Sequence, residues 1–174
     1  GADFKGVFIA SVRVLYDKLD FGFSILGEIL KNSILDDEKR LGEVISETRW
    51  RGRMKLEGAC HSAAVPRDTS YFSPTSYYND RTGGIGYYQF LEQLDREYPE
   101  HKKEIIARLK QVMARLFTVK NLLVSYTADE EGFRLLPAAL RSLKEMLPEG
   151  SEETYPFTFP AGNRNEGFKT ASQV

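Results

Sequence analysis

From Phe4 to Tyr16 apolar and polar positions alternate. Phe8, Ala10, Val12, Val14 and Tyr16 fall on one face, Ser11 and Arg13 on the other, the period-two pattern of a strand covered on one side. The period then lengthens. Leu19, Phe23, Leu26, Ile29 and Leu30 recur at helical spacing, which predicts a helix that Asp17 or Asp20 opens and that Asn32 and Ser33 close. Asp36 suits the next N-cap, and Asp37 and Glu38 complement the dipole in the first turn. This second helix is expected to run to about Ala59, with Leu41, Val44, Ile45, Thr48 and Leu56 on its inner side.

From His61 to Leu91 the pattern changes to HSAAVPRDTSYFSPTSYYNDRTGGIGYYQFL, rich in aromatic and turn residues. A short helix near His61 to Tyr71 is expected, disturbed by Pro66, which has no amide to donate. Pro74 after Ser73 suits the first position of a new helical turn, and Thr82-Gly83-Gly84 reads as a break. Two helices should follow, Ile85 to about Glu97 and Pro99 to Phe117. The second carries Ile105, Ile106, Leu109, Val112, Met113, Leu116 and Phe117 on one stripe. Lys120 to Thr127 reads as a second strand. Asp129 begins a last helix that ends before Pro148, with Phe133, Leu136, Leu140, Leu143 and Leu147 inward and a kink expected at Pro137. Beyond Gly150 periodicity fades, while Pro, Gly and Asn accumulate.

These elements predict an α+β fold, a helix-rich layer packed on a small, mainly antiparallel sheet with strands near 5–16 and 119–127. Residues 1–148 are expected to form a single domain and 149–174 a linker or extended arm towards a following domain. Two strands make a marginal sheet. Either they pair beneath the helices, or further strands lie outside these 174 residues. An open strand edge invites pairing with another copy, so a homodimer, swapped through the tail after Gly150, is an expected partner state.

Composition narrows the function. At 174 residues the chain can bury a core, and 41% hydrophobic with 28% charged residues is ordinary for a soluble domain. A net charge of −1 sets up no field for nucleic acid or an anionic membrane. Arg49, Arg51, Arg53 and Lys55 cluster, but their near-alternate spacing spreads them around a helix and favours a solvated face over a phosphate stripe. No apolar run approaches the ~18 residues that span a bilayer. Cys60 is the one cysteine, which excludes an intrachain disulfide and points to a reducing, cytoplasmic compartment. The chain opens on Gly1-Ala2 with no signal-peptide pattern and no initiator methionine, as expected of a piece of a longer protein.

Candidate chemistry is sparse. Zinc needs three or four converging protein ligands, whereas His61 and His101 stand 40 positions apart in neither an HxxEH nor an HxxxH arrangement, and no CxxC occurs. Cys60 beside His61 would need an activating base in the right geometry, which adjacency does not supply. A scattered Ser-His-Asp triad is compatible with the composition, but no GxSxG elbow occurs. Thr82-Gly83-Gly84-Ile85-Gly86 precedes a helix yet lacks the lysine of a phosphate loop and follows no strand. Asp36 with Asp37, and Glu130 with Glu131, are explained as helix starts. Tyr77, Tyr78, Tyr87 and Tyr88 could stack on bases, but without a basic groove they fit packing and peptide contact better. Candidate catalytic, cofactor-binding and metal-binding residues are therefore none.

The signature nonetheless resembles a known family. His61-Ser62-Ala63-Ala64, Arg67, Ser70-Tyr71-Phe72-Ser73-Pro74, Thr82-Gly83-Gly84-Ile85, Tyr87-Tyr88 and Phe90-Leu91 are similar to the middle region of insulinase/pitrilysin-type zinc peptidases of the presequence-protease subfamily. Leu26-Gly27-Glu28-Ile29-Leu30 and Asp37-Glu38-Lys39-Arg40-Leu41 also fit; Pro66 departs from the helix-compatible residue expected there.

The resemblance implies a clamshell enzyme whose halves each hold two related α+β domains around a chamber for unfolded peptides. Zinc is expected in the parent enzyme's first domain, at an inverted HxxEH motif absent here. This chain resembles the non-catalytic third domain, which forms part of the chamber wall and is inactive alone. Its expected partners are the parent's remaining domains and unfolded peptide substrates, with no nucleic acid and no membrane. Two other readings stay open: a stand-alone helical protein-binding or assembly module, and an enzyme with a scattered site.

Overall fold

The computed structural model describes residues 4–151, 157–160, 162 and 165–167. Among them the regular elements are six α-helices and two short 3-10 turns: α1 (Leu19–Asn32), α2 (Glu38–Gly58), α3 (Cys60–Thr69), α4 (Pro74–Gly83), α5 (Ile85–Leu116) and α6 (Glu130–Met146), with the turns at Tyr16–Lys18 and Val119–Asn121. No β-ladder occurs among the described residues, so the expected α+β fold with a small antiparallel sheet is corrected to an all-helical one. Alternation dictates an extended backbone but not a partner for it. Residues 4–15 and 122–128 are free of helix, and neither finds a neighbouring backbone to hydrogen-bond in a ladder.

The face predicted for the first of these segments is still the one that makes contacts. Phe8 lies 5.4 Å from Phe117, centroid to centroid. Val14 closes on Gly22, where a Cβ would stand 3.1 Å from its Cγ1. The Tyr16 ring likewise leaves no room for a Cβ at Gly132. Apolar contact with helices replaces strand pairing.

The starts of α2, α4 and α6 are capped by side chains, whereas α1, preceded by Lys18 and not by the expected Asp17 or Asp20, and α3 are not. Asp37 accepts from the Arg40 amide at 2.8 Å, one residue later than the expected cap. Ser73 accepts from Ser76 with Pro74 at the first position. Asp129 accepts from Gly132 at 2.9 Å. Each satisfies an amide that the helix itself cannot. Pro66 and Pro137 both lie within helical segments. The span α5 is two helices joined at a kink, as expected, with the break at His101 (φ −116°, ψ 19°), two residues after Pro99. Proline's missing bond and steric demand fall on the turn before it, whereas the non-helical residue follows it.

The chain forms two compact units, one from residues 1–6, 37–102 and 156–174, the other from 7–36 and 103–155. In the second, α1 packs along α6. Leu19 and Phe23 meet Ala139, Leu143 and Leu147, with Val14, Leu136 and Leu140 closing the edges. A Cβ at Gly27 would overlap Met146 Sδ, so glycine lets the two helices approach. Gly150 adopts φ +79°, a left-handed conformation, with its α-carbon packed on Thr118. In the first unit Leu56 of α2 packs with Ile85 and Tyr88 of α5 and Ala63 of α3. The Tyr98 hydroxyl donates to the Glu38 carbonyl at 2.6 Å, and its ring lies where a Cβ at Gly42 would be only 2.9 Å away.

Leu143, 3% exposed, and Leu123, 85% exposed, provide a paired test of this architecture. Leu143→Ala is expected to cost about 2–5 kcal/mol in chemical denaturation, whereas Leu123→Ala should stay within about 0.5 kcal/mol. A Leu123 effect as large as that of Leu143 would mean that the 122–128 segment is covered.

Candidate functional site

The distinctive His61–Leu91 stretch folds into α3, α4 and the start of α5. Asp80, on α4, has no solvent exposure. Burying a carboxylate demands donors; two reach its oxygens and a third binds the backbone carbonyl of the same residue. Arg67 Nη1 donates to Asp80 Oδ2 at 2.6 Å, the Gly86 amide to Oδ1 at 3.2 Å, and the Gly84 amide to the Asp80 carbonyl at 3.0 Å. The glycines follow from this approach. A Cβ at Gly84 would lie 2.7 Å from Asp80 Oδ1, and one at Gly86 would overlap Oδ2. The Thr82–Gly86 run is thus a carboxylate-binding turn whose anion belongs to the chain itself.

Arg67 has the rest of its guanidinium pointed at a second carboxylate. Nε and Nη2 donate to Glu166 at 2.8–2.9 Å in a bidentate fork. The Tyr71 hydroxyl adds a third donor to Glu166 Oε2 at 2.8 Å, and its ring lies 5.7 Å from Arg67 Cζ. Fork geometry of this kind is what makes arginine a carboxylate binder. The local backbone is fixed as well: the buried Ser70 hydroxyl donates to the Arg67 carbonyl at 2.6 Å.

Burial works against the Arg67 charge, but the hydrogen bonds it donates to Glu166 and Asp80 outweigh it and hold the guanidinium pKa above its ordinary value. Burial first, then the bond to Glu166, raises the Tyr71 phenol. Tyr88 is raised by burial and Glu92, and Tyr98 by burial and Glu38.

Glu166 belongs to a strap near the end of the chain that lies over this unit. Phe157 packs on Phe4, Tyr77 and Tyr78 with centroids 5.2, 6.1 and 6.2 Å apart, and Phe159 stands 6.0 Å from Tyr77. The Gly162 amide donates to the Tyr71 carbonyl at 3.4 Å. Tyr77 and Tyr78 thus pack against the rings of Phe157 and Phe159. Tyr88 donates to Glu92 at 2.8 Å within α5.

The groups weighed for chemistry do not assemble. Cys60 opens α3, half-buried, and His61 and His101 are exposed. No three His, Cys, Asp or Glu side chains among the described residues converge as a metal would require, so they do not fit a zinc ion. The basic cluster is matched by acids: Arg49 Nε lies 2.7 Å from Asp95 in an ion pair whose angle is too poor for a hydrogen bond, Arg51 stands 3.8 Å from Glu47, and Arg53 2.9 Å from Glu57. No helix among the described residues is long and apolar enough to cross a membrane. Asp80 and Glu166 were invisible as partners of Arg67 in sequence. Asp80 had one usable signal, its spacing of four and six residues before Gly84 and Gly86. Glu166, 99 positions from Arg67, had none.

Removing Asp80 leaves Arg67 without its buried partner. Asp80→Ala is expected to cost about 3 kcal/mol, the lower end for a broken buried pair because solvent reaches Arg67. Gly86→Ala should cost about 1–3 kcal/mol, since the buried carboxylate cannot move aside. Urea denaturation checks both; a neutral Asp80→Ala would show that the pair is not needed. The tyrosines set an alkaline limit. Their folded pKa values lie above the unfolded value of about 10, so their contribution is complete below about pH 10 and is lost as pH rises through the folded values. Phenolate absorbance should titrate for Tyr71, Tyr88 and Tyr98 above the unfolded value of about 10, with stability falling in step.

Residues 1–94 match the family described as Peptidase M-16C associated. Along 99% of its length the chain is 28% identical to Protein HypA of Clostridium perfringens (strain 13 / Type A), of which it covers 18%. It is 24% identical, over 87% of its length, to Presequence protease 1, chloroplastic/mitochondrial, of Arabidopsis thaliana, covering 14% of that protein. The chain thus spans less than a fifth of the curated relatives it matches. With the family match extending over more than half of its residues, this chain belongs to the peptidase M-16C associated family.

Proposed function

We propose that this chain is a non-catalytic domain of a zinc-dependent metallopeptidase that degrades peptides, and that it forms part of the wall of the substrate chamber. The observation that carries the reading is the family match together with similarity to a presequence protease along most of the chain, within a far longer relative. The chemistry of the described residues supports it. At the signature Arg67 pairs with Asp80 and with Glu166, which engages these groups in ion pairs rather than in proton transfer. Hydrolysis of a peptide bond in such an enzyme falls to metal-activated water in another domain. A wall domain contributes confinement and orientation of the substrate. Its partners are then the remaining domains of the parent enzyme and the unfolded peptides inside.

Equilibrium dialysis of the purified chain against zinc, with a parallel assay on an unfolded peptide, tests the reading. Zinc is expected well below one equivalent, with no cleavage that a chelator abolishes. Stoichiometric tight zinc or chelator-sensitive hydrolysis would overturn the non-catalytic role. A parent reading frame without an HxxEH motif upstream would instead favour a stand-alone helical module.

A further inference from the structure

The strap and the surface beneath it have the form of a ligand and its seat. Every donor of the seat is supplied by residues 67–86, and those residues also hold one another. Asp80, fully buried, holds one nitrogen of Arg67 and so orients the other two outward. Ser70 and Gly86 lock the backbone and carboxylate behind them. Tyr71 adds its hydroxyl and its carbonyl, and Tyr77 with Tyr78 offers a ledge of rings. Onto this the chain lays a distant segment that makes one kind of contact with each part. Phe157 and Phe159 meet the rings, Gly162 offers its amide to Tyr71, and Glu166 places a carboxylate against three donors. The Arg67 side chain is only 13% exposed with Glu166 in place.

We propose that this surface is a recognition seat for an extended peptide carrying an aromatic side chain and, seven to nine residues further on, a carboxylate, and that residues 157–160, 162 and 165–167 are its intramolecular occupant. The inference is independent of the peptidase reading, because it rests only on the strap's contacts. A seat shaped in advance loses little on binding. A tethered occupant, however, acts at an effective concentration of roughly millimolar, so a free peptide gains access only when the strap lets go. Aromatic anchoring sets where the peptide lies, and the bidentate fork selects carboxylate over amide.

A labelled peptide of sequence FTFPAGNRNEG, the chain's own residues 157–167, is the probe. Fluorescence anisotropy compares the full chain with its Phe157→Ala/Phe159→Ala/Glu166→Ala variant. The variant, with the seat vacated, should bind the peptide at least roughly tenfold more tightly than the unaltered chain. A peptide with Gln in place of its Glu should bind roughly ten- to a hundredfold more weakly. Equal binding by the two proteins, equal binding of the two peptides, or no binding by a folded variant each overturns the proposal. Should the triple variant not fold, amide exchange at Gly162 in Glu166→Gln answers the same question. Excess acidic peptide is expected to displace the weakened strap and speed that exchange roughly tenfold, with the Gln peptide much less effective; exchange insensitive to the acidic peptide overturns the proposal.

Discussion

A carboxylate shut away from water must be met by donors on every side, and in the first unit Asp80 imposes that requirement on its surroundings. Its demand explains features that otherwise look unrelated. Arg67 of α3 must reach across to α4, which ties those helices together. Gly84 and Gly86 must lack side chains, because Asp80 occupies the space where a Cβ would stand. The break between α4 and α5 is therefore located by the buried anion rather than by flexibility. The pair adds little net stability over an apolar replacement of the same shape, since both ions are taken from water. What it supplies is orientation: with Nη1 fixed on Asp80, the remaining face of the guanidinium can accept a planar carboxylate in only one way.

The second unit rests on a different kind of force. Leu19, Phe23, Ala139, Leu143 and Leu147 hold α1 to α6 by apolar burial alone, with small residues setting the distance. Such a contact is tolerant of conservative change in a way that a buried ion pair is not. Phe8, Ile9, Phe21, Ile29, Ile34 and Leu123 remain exposed. Apolar surface of this extent marks interaction sites, and under the proposed role it is the surface that neighbouring domains of a longer enzyme would cover.

Helices were legible because their determinants are local. Ser73-Pro74 and Asp129 carry their capping chemistry within four residues, and the structure uses both as expected. At α2 the cap moved from Asp36 to Asp37, with Lys110 taking Asp36 as an ion-pair partner. Near Pro99 the expected division into two helices is present, displaced by two residues to His101. The sheet failed for the complementary reason. Alternation at Phe8, Val12, Val14 and Tyr16 predicted a strand, yet pairing is a property of two segments, and no pattern within one of them states whether a partner exists. The same limit hid the strap. Arg67 and Tyr71 stand out in the signature, but Glu166 lies in a polar, aperiodic tail that marks nothing.

The signature's density has a physical source in the pairing of Arg67 with two carboxylates. A reactive centre needs groups whose protonation or nucleophilicity is left unspent, whereas Arg67 meets Asp80 and Glu166 and its hydrogen bonds strengthen its charged form. Arg67 is driven further into its cationic state, and Tyr71 further into its neutral one. Both shifts move these groups away from proton transfer near neutral pH. Yet the same shifts suit recognition. A permanently charged fork beside a permanently neutral hydroxyl keeps its affinity for a carboxylate across the physiological range. The residues that make this stretch distinctive are consequently those that keep an anion-binding surface rigid and constant, with Asp80 inside and Glu166 outside as the two anions that define it.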